Sequence, residues 1–375
     1  MTSRPALRAA IIGTGRIASL LERDRLRARP HTHAGWYASH LDTALAAGCD
    51  VDPERLATFG HDWAIGPDHL YDDYERMLER ERPDLVSVCA YAPDRVAMCR
   101  AALAAGARGL WIEKAIACSV DEARVLAVDL DRAGAAAIVD YPRRHEARYR
   151  SVRRWLAEAT FGRLETVHVL FSGHVIHTGT HAWDLLLAWC GPWARVEASL
   201  DAPVDAGDAS GDGRDAGNGH AHPDVARRAD AVAGSGHPDR GGRARIVFAS
   251  GVEAFVTGGA KHYFVFQCDL VCAGGRIRIG NDVWDVLVPA DSPRYTGFRE
   301  LVPVDPAVHQ RDEDRTPQTL IDDLLSAMAR GTPPLSSVAS AIDALALGVA
   351  VVQAGLTGTV VTPATLDTSL RIASR

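Results

Sequence analysis

Short apolar runs alternate with helical patterns over residues 8–140. Ala9-Ala10-Ile11-Ile12 predicts a buried strand running into the turn Gly13-Thr14-Gly15-Arg16-Ile17-Ala18, with a helix to follow from about Arg16 to Leu26. Further strands are expected at Ala44–Cys49, Leu85–Ala90, Gly109–Ile112 and Ala136–Val139. Helices are expected from Pro93 to Ala105, stopped by Gly106, and from a Ser119 cap to about Ala133, stopped by Gly134. Strands that are apolar throughout and separated by helices predict a parallel sheet covered on both faces. This is an α/β, doubly wound arrangement, assigned to residues 1–141.

After Tyr141 the pattern changes. A helix is expected around Glu146–Ala159, then alternating strands at Leu164–Phe171, Arg245–Ala249, Val252–Thr257, Phe264–Val271 and Arg276–Ile279. Closing helices are expected at about Thr316–Ala329 and Ser336–Ala354. Residues 142–375 thus predict an α+β domain with an open, mostly antiparallel sheet. Residues 201–243 are dominated by Asp, Gly and Ala, with Val204, Val225 and Val232 as the only larger apolar side chains. So little apolar surface does not offset ordering entropy, and a disordered excursion is expected there. It carries His220, His222 and His237, which read as a solvated loop rather than a metal-binding tract.

The length of 375 residues suits two domains, and 47% hydrophobic with 24% charged residues suits a globular chain. A formal net charge of -7 with no basic stripe argues against nucleic acid as a partner. Seven cysteines, at 49, 89, 99, 118, 190, 268 and 272, form no CxxC pair, so neither a disulfide framework nor a thiolate zinc site is expected. No signal-peptide pattern is seen, and no apolar run is expected to reach the ~18 residues that span a bilayer. A cytoplasmic protein with a small-molecule substrate and no membrane partner is the expectation.

The glycine turn supplies the first candidate chemistry. Gly13 permits a tight turn, Gly15 lets backbone approach a pyrophosphate, and Ala18 lets a helix pack on the strand; Arg16 and Ile17 lie at the phosphates. Asp50, ending the second strand, is the expected partner of the ribose hydroxyls and favours NAD over NADP, although Arg16 could offset that preference. Its distance from the turn implies an insertion, roughly Arg29 to His40. His31 and His33 lie in it and read either as pocket residues or as a loop packed by Trp36 and Tyr37.

Glu113-Lys114-Ala115-Ile116-Ala117 resembles the Glu-Lys-Pro signature of the Gfo/Idh/MocA oxidoreductases. The resemblance takes in the glycine turn, Asp50-Val51-Asp52-Pro53-Glu54-Arg55, Tyr71-Asp72-Asp73-Tyr74-Glu75, Pro83–Val88, Tyr141-Pro142-Arg143-Arg144 and Gly179–Asp184. It implies a Rossmann domain, an open-sheet domain whose face mediates dimers or tetramers, and sugar, inositol or related polyol substrates. Lys114 would stand beside the nicotinamide and the substrate hydroxyl, with Glu113 at the cofactor. His181 would be the general acid or base, and Asp184 would orient it or hold a substrate hydroxyl. Tyr141 and an arginine, Arg144 in preference to Arg143, would border the substrate. Tyr91 and Arg95, beyond the Leu85–Ala90 strand, would contact the cofactor.

The chain departs from the family at two places. Ala115 replaces the proline, and His177 stands where the family often has a substrate-orienting aspartate. His174, His177 and His181 have helical metal-ligand spacing, but Gly173 and Gly179 argue against one continuous helix and no metal is expected. The expected activity is hydride transfer between NAD(P) and a secondary alcohol or ketone. The alternatives are a nucleotide-binding sensor or scaffold, and an NAD-assisted lyase or glycosidase without net redox change.

Overall fold

A computed structural model describes residues 5–202, 236–311 and 318–373. The first sheet has six parallel strands, β1 (Leu7–Ile12), β2 (Thr43–Cys49), β3 (Leu70–Tyr71), β4 (Leu85–Val88), β5 (Gly109–Ile112) and β6 (Ala136–Val139), in the order β3-β2-β1-β4-β5-β6. β4 and β5 are buried at every position, as strands covered on both faces must be. The strand order reverses beside β1, so β1 and β4 open a crevice at their carboxyl ends, where ligands bind in such sheets.

The helix expected from Arg16 to Leu26 is not continuous. One turn forms, with Ser19 N–H on Gly15 O and Leu21 N–H on Arg16 O, followed by a short 3₁₀ segment at Leu20–Arg23. The chain then leaves and returns as α1 (His33–Ser39). α1 resumes on the carbonyls of that first turn: His33 N–H reaches Ile17 O at 3.2 Å and Ala34 N–H reaches Ala18 O at 2.9 Å. The insertion therefore lies within the helix, between Ser19 and His33, rather than at Arg29–His40. Glu22 pins the return, its Oε2 accepting from His31 N–H, Thr32 N–H and Thr32 Oγ1. Thr32 caps α1 by accepting from Gly35 N–H at 3.1 Å. A Cβ at Gly35 would meet Glu22 Oε2 at 2.5 Å, so glycine is needed for this closure.

α2 (Pro53–Trp63), α3 (Tyr74–Glu81), α4 (Ala92–Ala104) and α5 (Val120–Ala133) complete the first layer pair. Asp52, Asp73 and Ser119 cap three of these helices with side-chain oxygens. After α6 (Ala147–Ala157), the second sheet has eight strands. They are β7 (Leu164–Ser172), β8 (Trp193–Leu200), β10 (Gly242–Phe248), β11 (Glu253–Gly259), β12 (Phe266–Cys272), β13 (Gly275–Gly280), β14 (Trp284–Asp291) and β15 (Arg299–Val304), ordered β15-β14-β13-β12-β7-β11-β10-β8. All neighbours are antiparallel except β7 and β11. β8, β14 and β15 were not expected.

α7 (Gly179–Cys190) and α9 (Val338–Thr357) cover one face of this sheet, while α8 (Leu320–Arg330) returns to pack on β5 and β6. α9 is 20 residues long with mean hydropathy 1.7, enough by length and composition to cross a bilayer, contrary to the expectation of no such run. Its apolarity is accounted for by burial against α5, α7 and β8. The other face of the sheet is half-open, laced by cross-strand pairs such as Arg245–Glu253 and Arg278–Asp285, with Phe255 stacked on His168. Of the expected disordered excursion, His220 and His222 lie outside the described residues. Its far end is structured, because His237–Pro238 (β9) pairs in parallel with Ile372–Ala373 (β16) and β10 begins at Gly242.

Candidate active site

The glycine turn sits between the ends of β1 and β4. Gly13 has φ +87°, and a Cβ there would meet the Cys89 carbonyl carbon at 3.0 Å. Around Gly15 the nearest atom to such a Cβ is Arg55 Nη1 at 4.0 Å, so this backbone faces open space. A close turn followed by unobstructed backbone fits a dinucleotide pyrophosphate. Arg16 is exposed and Ile17 half-buried beside it.

Asp50 is 8% exposed and already engaged. Its Oδ2 accepts from Thr14 N–H (2.7 Å) and Thr14 Oγ1 (3.1 Å), and its Oδ1 from Asp52 N–H (2.9 Å). Three of a carboxylate's roughly four acceptor directions are taken. Asp50 thus fixes the shape of the glycine turn and keeps one acceptor direction open.

Lys114 follows β5 directly and is half-buried. Its Nζ donates to His177 O at 2.9 Å, and the Lys114–Ala115 peptide is cis. Burial lowers the ammonium's proton affinity, Glu113 raises it, and Arg95 lowers it again, for a net downward shift. Arg95, expected at the cofactor, is instead buried and turned inward. Its Nη1 donates to Ala115 O and its Nη2 to Ala90 O (2.5 Å), bracing the lysine loop against the β4 end. Tyr91, half-exposed ahead of α4, remains at the crevice.

His181 lies in the first turn of α7, with Tyr141 and Phe266 edge-on to its ring at 5.8 and 6.5 Å. Its Nδ1 is buried without a hydrogen-bond partner. Burial, then the nearby charges of Arg143, Lys114 and His177, hold its pKa well below the ordinary value, so the imidazole is neutral. Tyr141 supports the ring from a buried position, its hydroxyl 2.7 Å from Thr180 Oγ1.

Two expected substrate contacts are used elsewhere. Asp184 does not reach His181. It is 1% exposed, and both its oxygens accept from Arg144 Nε at 2.9 and 2.8 Å. Arg144 also donates through Nη1 to Leu335 O and through Nη2 to Asp184 O, which commits its whole fork to the protein. Arg143 is the arginine near His181, its guanidinium 3.9 Å above the Phe266 ring. His177 is exposed, and its N–H donates to Asp239 Oδ2 at 2.7 Å, while Ile176 N–H donates to Oδ1 at 2.9 Å. His174, also exposed, lies in the same turn.

Sequence reasoning missed Asp239 and Asp140. Asp239 is masked by the low-complexity stretch before it, whereas Asp140 stands at a strand's carboxyl end, where an acid is a recognisable signal. His33, one of two readings for the insertion, is buried at the β4 and β5 ends, while His31 contacts Arg27 at 2.9 Å near the surface.

The crossover order of the first sheet and the close glycine turn are those of a dinucleotide-binding Rossmann fold. Residues 7–141 match the model of the Gfo/Idh/MocA oxidoreductase family, NAD-binding Rossmann fold. Over 135 residues it is 32% identical to D-apiose dehydrogenase of Paraburkholderia graminis, covering 36% of this chain and 34% of that protein. Over 185 residues it is 27% identical to D-glucoside 3-dehydrogenase of Escherichia coli strain K12, covering 49% and 48%. The matched stretches thus span about a third to a half of these relatives' lengths. The WlbA dehydrogenase of Bordetella pertussis, in complex with NADH and UDP-GlcNAcA, shares the fold with TM-score 0.69 and 16% identity over 95% of this chain and 98% of that one.

Proposed function

We propose that the protein is an NAD(H)-dependent dehydrogenase or reductase that acts on a secondary alcohol or ketone of a sugar, inositol or related polyol. The observation that carries this reading is the meeting of Lys114 with the start of α7. The lysine at the end of β5 bonds the turn before α7 and lies close enough to His181 for its charge to be felt there.

Bound nicotinamide would supply the hydride acceptor or donor, with Gly13 and Gly15 holding the pyrophosphate and Asp50 a ribose hydroxyl. His181, kept neutral by burial and flanking cations, is in the form that accepts a hydroxyl proton. The Lys114 ammonium stabilises oxyanion character on the reacting oxygen. Arg143, beside His181, is the better substrate arginine, since Arg144 is committed to Asp184. His177 and Asp239 border the same turn and are placed to set polyol preference. The half-open face of the second sheet is the surface proposed to join copies into dimers or tetramers.

The test is absorbance of the reduced nicotinamide during single turnover with a panel of sugars, inositols and their keto forms. Turnover that survives both Lys114→Ala and His181→Ala would reject the assignment.

A further inference from the structure

Three side chains that can bind metals meet behind Lys114, each from a different segment: His33 from α1, Glu113 after β5 and Asp140 after β6. All three are buried. His33 Nε2 lies 3.3 Å from Glu113 Oε1 and 4.0 Å from Asp140 Oδ2, and one atom from each residue falls within 4.8 Å of the other two. The far side of each group is held by the protein. His33 Nδ1 is 2.8 Å from Ser87 Oγ, Glu113 Oε2 accepts from the Lys114 backbone N–H at 3.2 Å, and Asp140 Oδ1 accepts from Trp111 Nε1 at 3.4 Å. The His33 ring also packs on Trp111, with centroids 4.1 Å apart.

The hydrogen bonds behind His33 set its tautomer. Ser87 Oγ donates to the Tyr37 hydroxyl at 2.9 Å. A serine has one proton to give, so Ser87 accepts from His33, and the ring's Nδ1 carries the N–H. The Nε2 lone pair of that tautomer points at Glu113. Three electron-pair donors thus converge away from water, and a cation between them satisfies all three. A second ring proton, on Nε2, would reach Glu113 but not Asp140, which stands 4.0 Å away.

We propose that His33, Glu113 and Asp140 form a binding site for a divalent transition-metal ion of the zinc class. An imidazole nitrogen with two carboxylate oxygens suits zinc, and the nitrogen weighs against magnesium and calcium, which take oxygen ligands. Zinc at ~2.1 Å from each ligand spaces them about 3.4 Å apart in a tetrahedron. The His33–Glu113 pair has that spacing, and a small rotation of the Asp140 carboxyl group completes the set. Three protein ligands leave the fourth position to water. The bonds from Ser87, the Lys114 amide and Trp111 are outer contacts of the kind that orient metal ligands. An ion bound there fastens the returning helix α1 to the ends of β5 and β6.

The site stands apart from the hydride-transfer reading, because its test counts metal rather than turnover. The full chain is stripped with a chelator, dialysed and titrated with Zn²⁺ by calorimetry, with bound metal measured by elemental analysis. One zinc per chain is expected, with thermal unfolding moved upward. Ser87→Ala keeps all three ligands and should weaken binding about 10–100-fold, the usual effect of losing an outer contact. His33→Gln and Asp140→Asn should weaken it by more than about 100-fold, in chains shown by circular dichroism to be folded. The double variant His174→Ala, His177→Ala, which removes two exposed imidazoles, should bind zinc as the parent does. Independently of any variant, anomalous scattering at the zinc edge should place the ion among the three side chains. Less than one equivalent bound, affinity unchanged in His33→Gln, binding lost in the His174, His177 variant, or an anomalous peak elsewhere would overturn the proposal.

Discussion

Lys114 Nζ donates to the backbone carbonyl of His177, 2.9 Å away, and this bond ties the end of β5 to the turn that opens α7. The acceptor is main chain, so the anchoring does not depend on which side chain occupies position 177. Two substitutions should then separate. Lys114→Met removes the ammonium and should lower kcat/KM on the order of 10²–10³-fold, the usual cost of deleting a charge-stabilising donor, with little change in Tm. His177→Ala should raise KM and change kcat less than about tenfold. Steady-state kinetics beside thermal unfolding checks both, and a Lys114→Met enzyme of parental kcat/KM would remove the lysine from the mechanism.

The neutrality of His181 has a signed pH consequence. Its folded pKa lies well below 6.5, so the base form persists as pH falls through that value. In the oxidative direction the acid limb of the kcat/KM profile should therefore lie below pH 6.5. Stability runs the other way: the unfolded chain takes up a proton near 6.5 that the native chain refuses, so the native state loses stability as pH falls below that value. Denaturant titrations at pH 7.5 and 5.5 should show a smaller difference in His181→Phe than in the parent.

Arg144 and Asp184 should behave as a structural pair. Arg144→Met leaves a buried carboxylate alone and should cost about 3–5 kcal/mol, as should Asp184→Leu, which leaves the guanidinium alone. The double variant should recover part of that loss. Equilibrium urea unfolding measures the cycle, and costs near zero for the single changes would mean the pair is solvated.

Gly13 and Gly15 should fail differently. Alanine at Gly13 meets both a positive φ and the Cys89 backbone, so the folded state itself suffers and Tm falls. Alanine at Gly15 meets open space, so Tm should hold while the Kd for NADH rises at least tenfold. Thermal shift with and without NADH distinguishes the two outcomes.

Much of the first sheet was legible because β5 is an uninterrupted apolar run and β4 is broken only by Ser87, and the crevice follows once such strands are parallel. The interrupted helix was not. Arg16–Leu26 has a helical pattern, and only the tertiary bonds from Glu22 to His31 and Thr32 explain why the chain departs and returns. In the site, Lys114 and His181 were marked by motif and spacing. Asp184 and Arg144 were misread because sequence spacing does not reveal that two good ligands have already chosen each other. Asp239 was hidden because its role comes from capping two distant amides, which leaves no local pattern. A composition signal was also passed over: in a chain with 41 lysines and arginines but only two lysines, the lysine at 114 stands out.

The short pairing of His237–Pro238 with Ile372–Ala373 lies immediately before Asp239, whose carboxylate holds the His177 amide. Ile372 N–H also bonds Cys118 O, on the segment that carries Lys114. The Ile372–Ala373 segment is therefore a guy-rope to the candidate site, pegged on both sides of the lysine. Loosening it by a few residues would be felt first in turnover, while the rest of the molecule stayed standing.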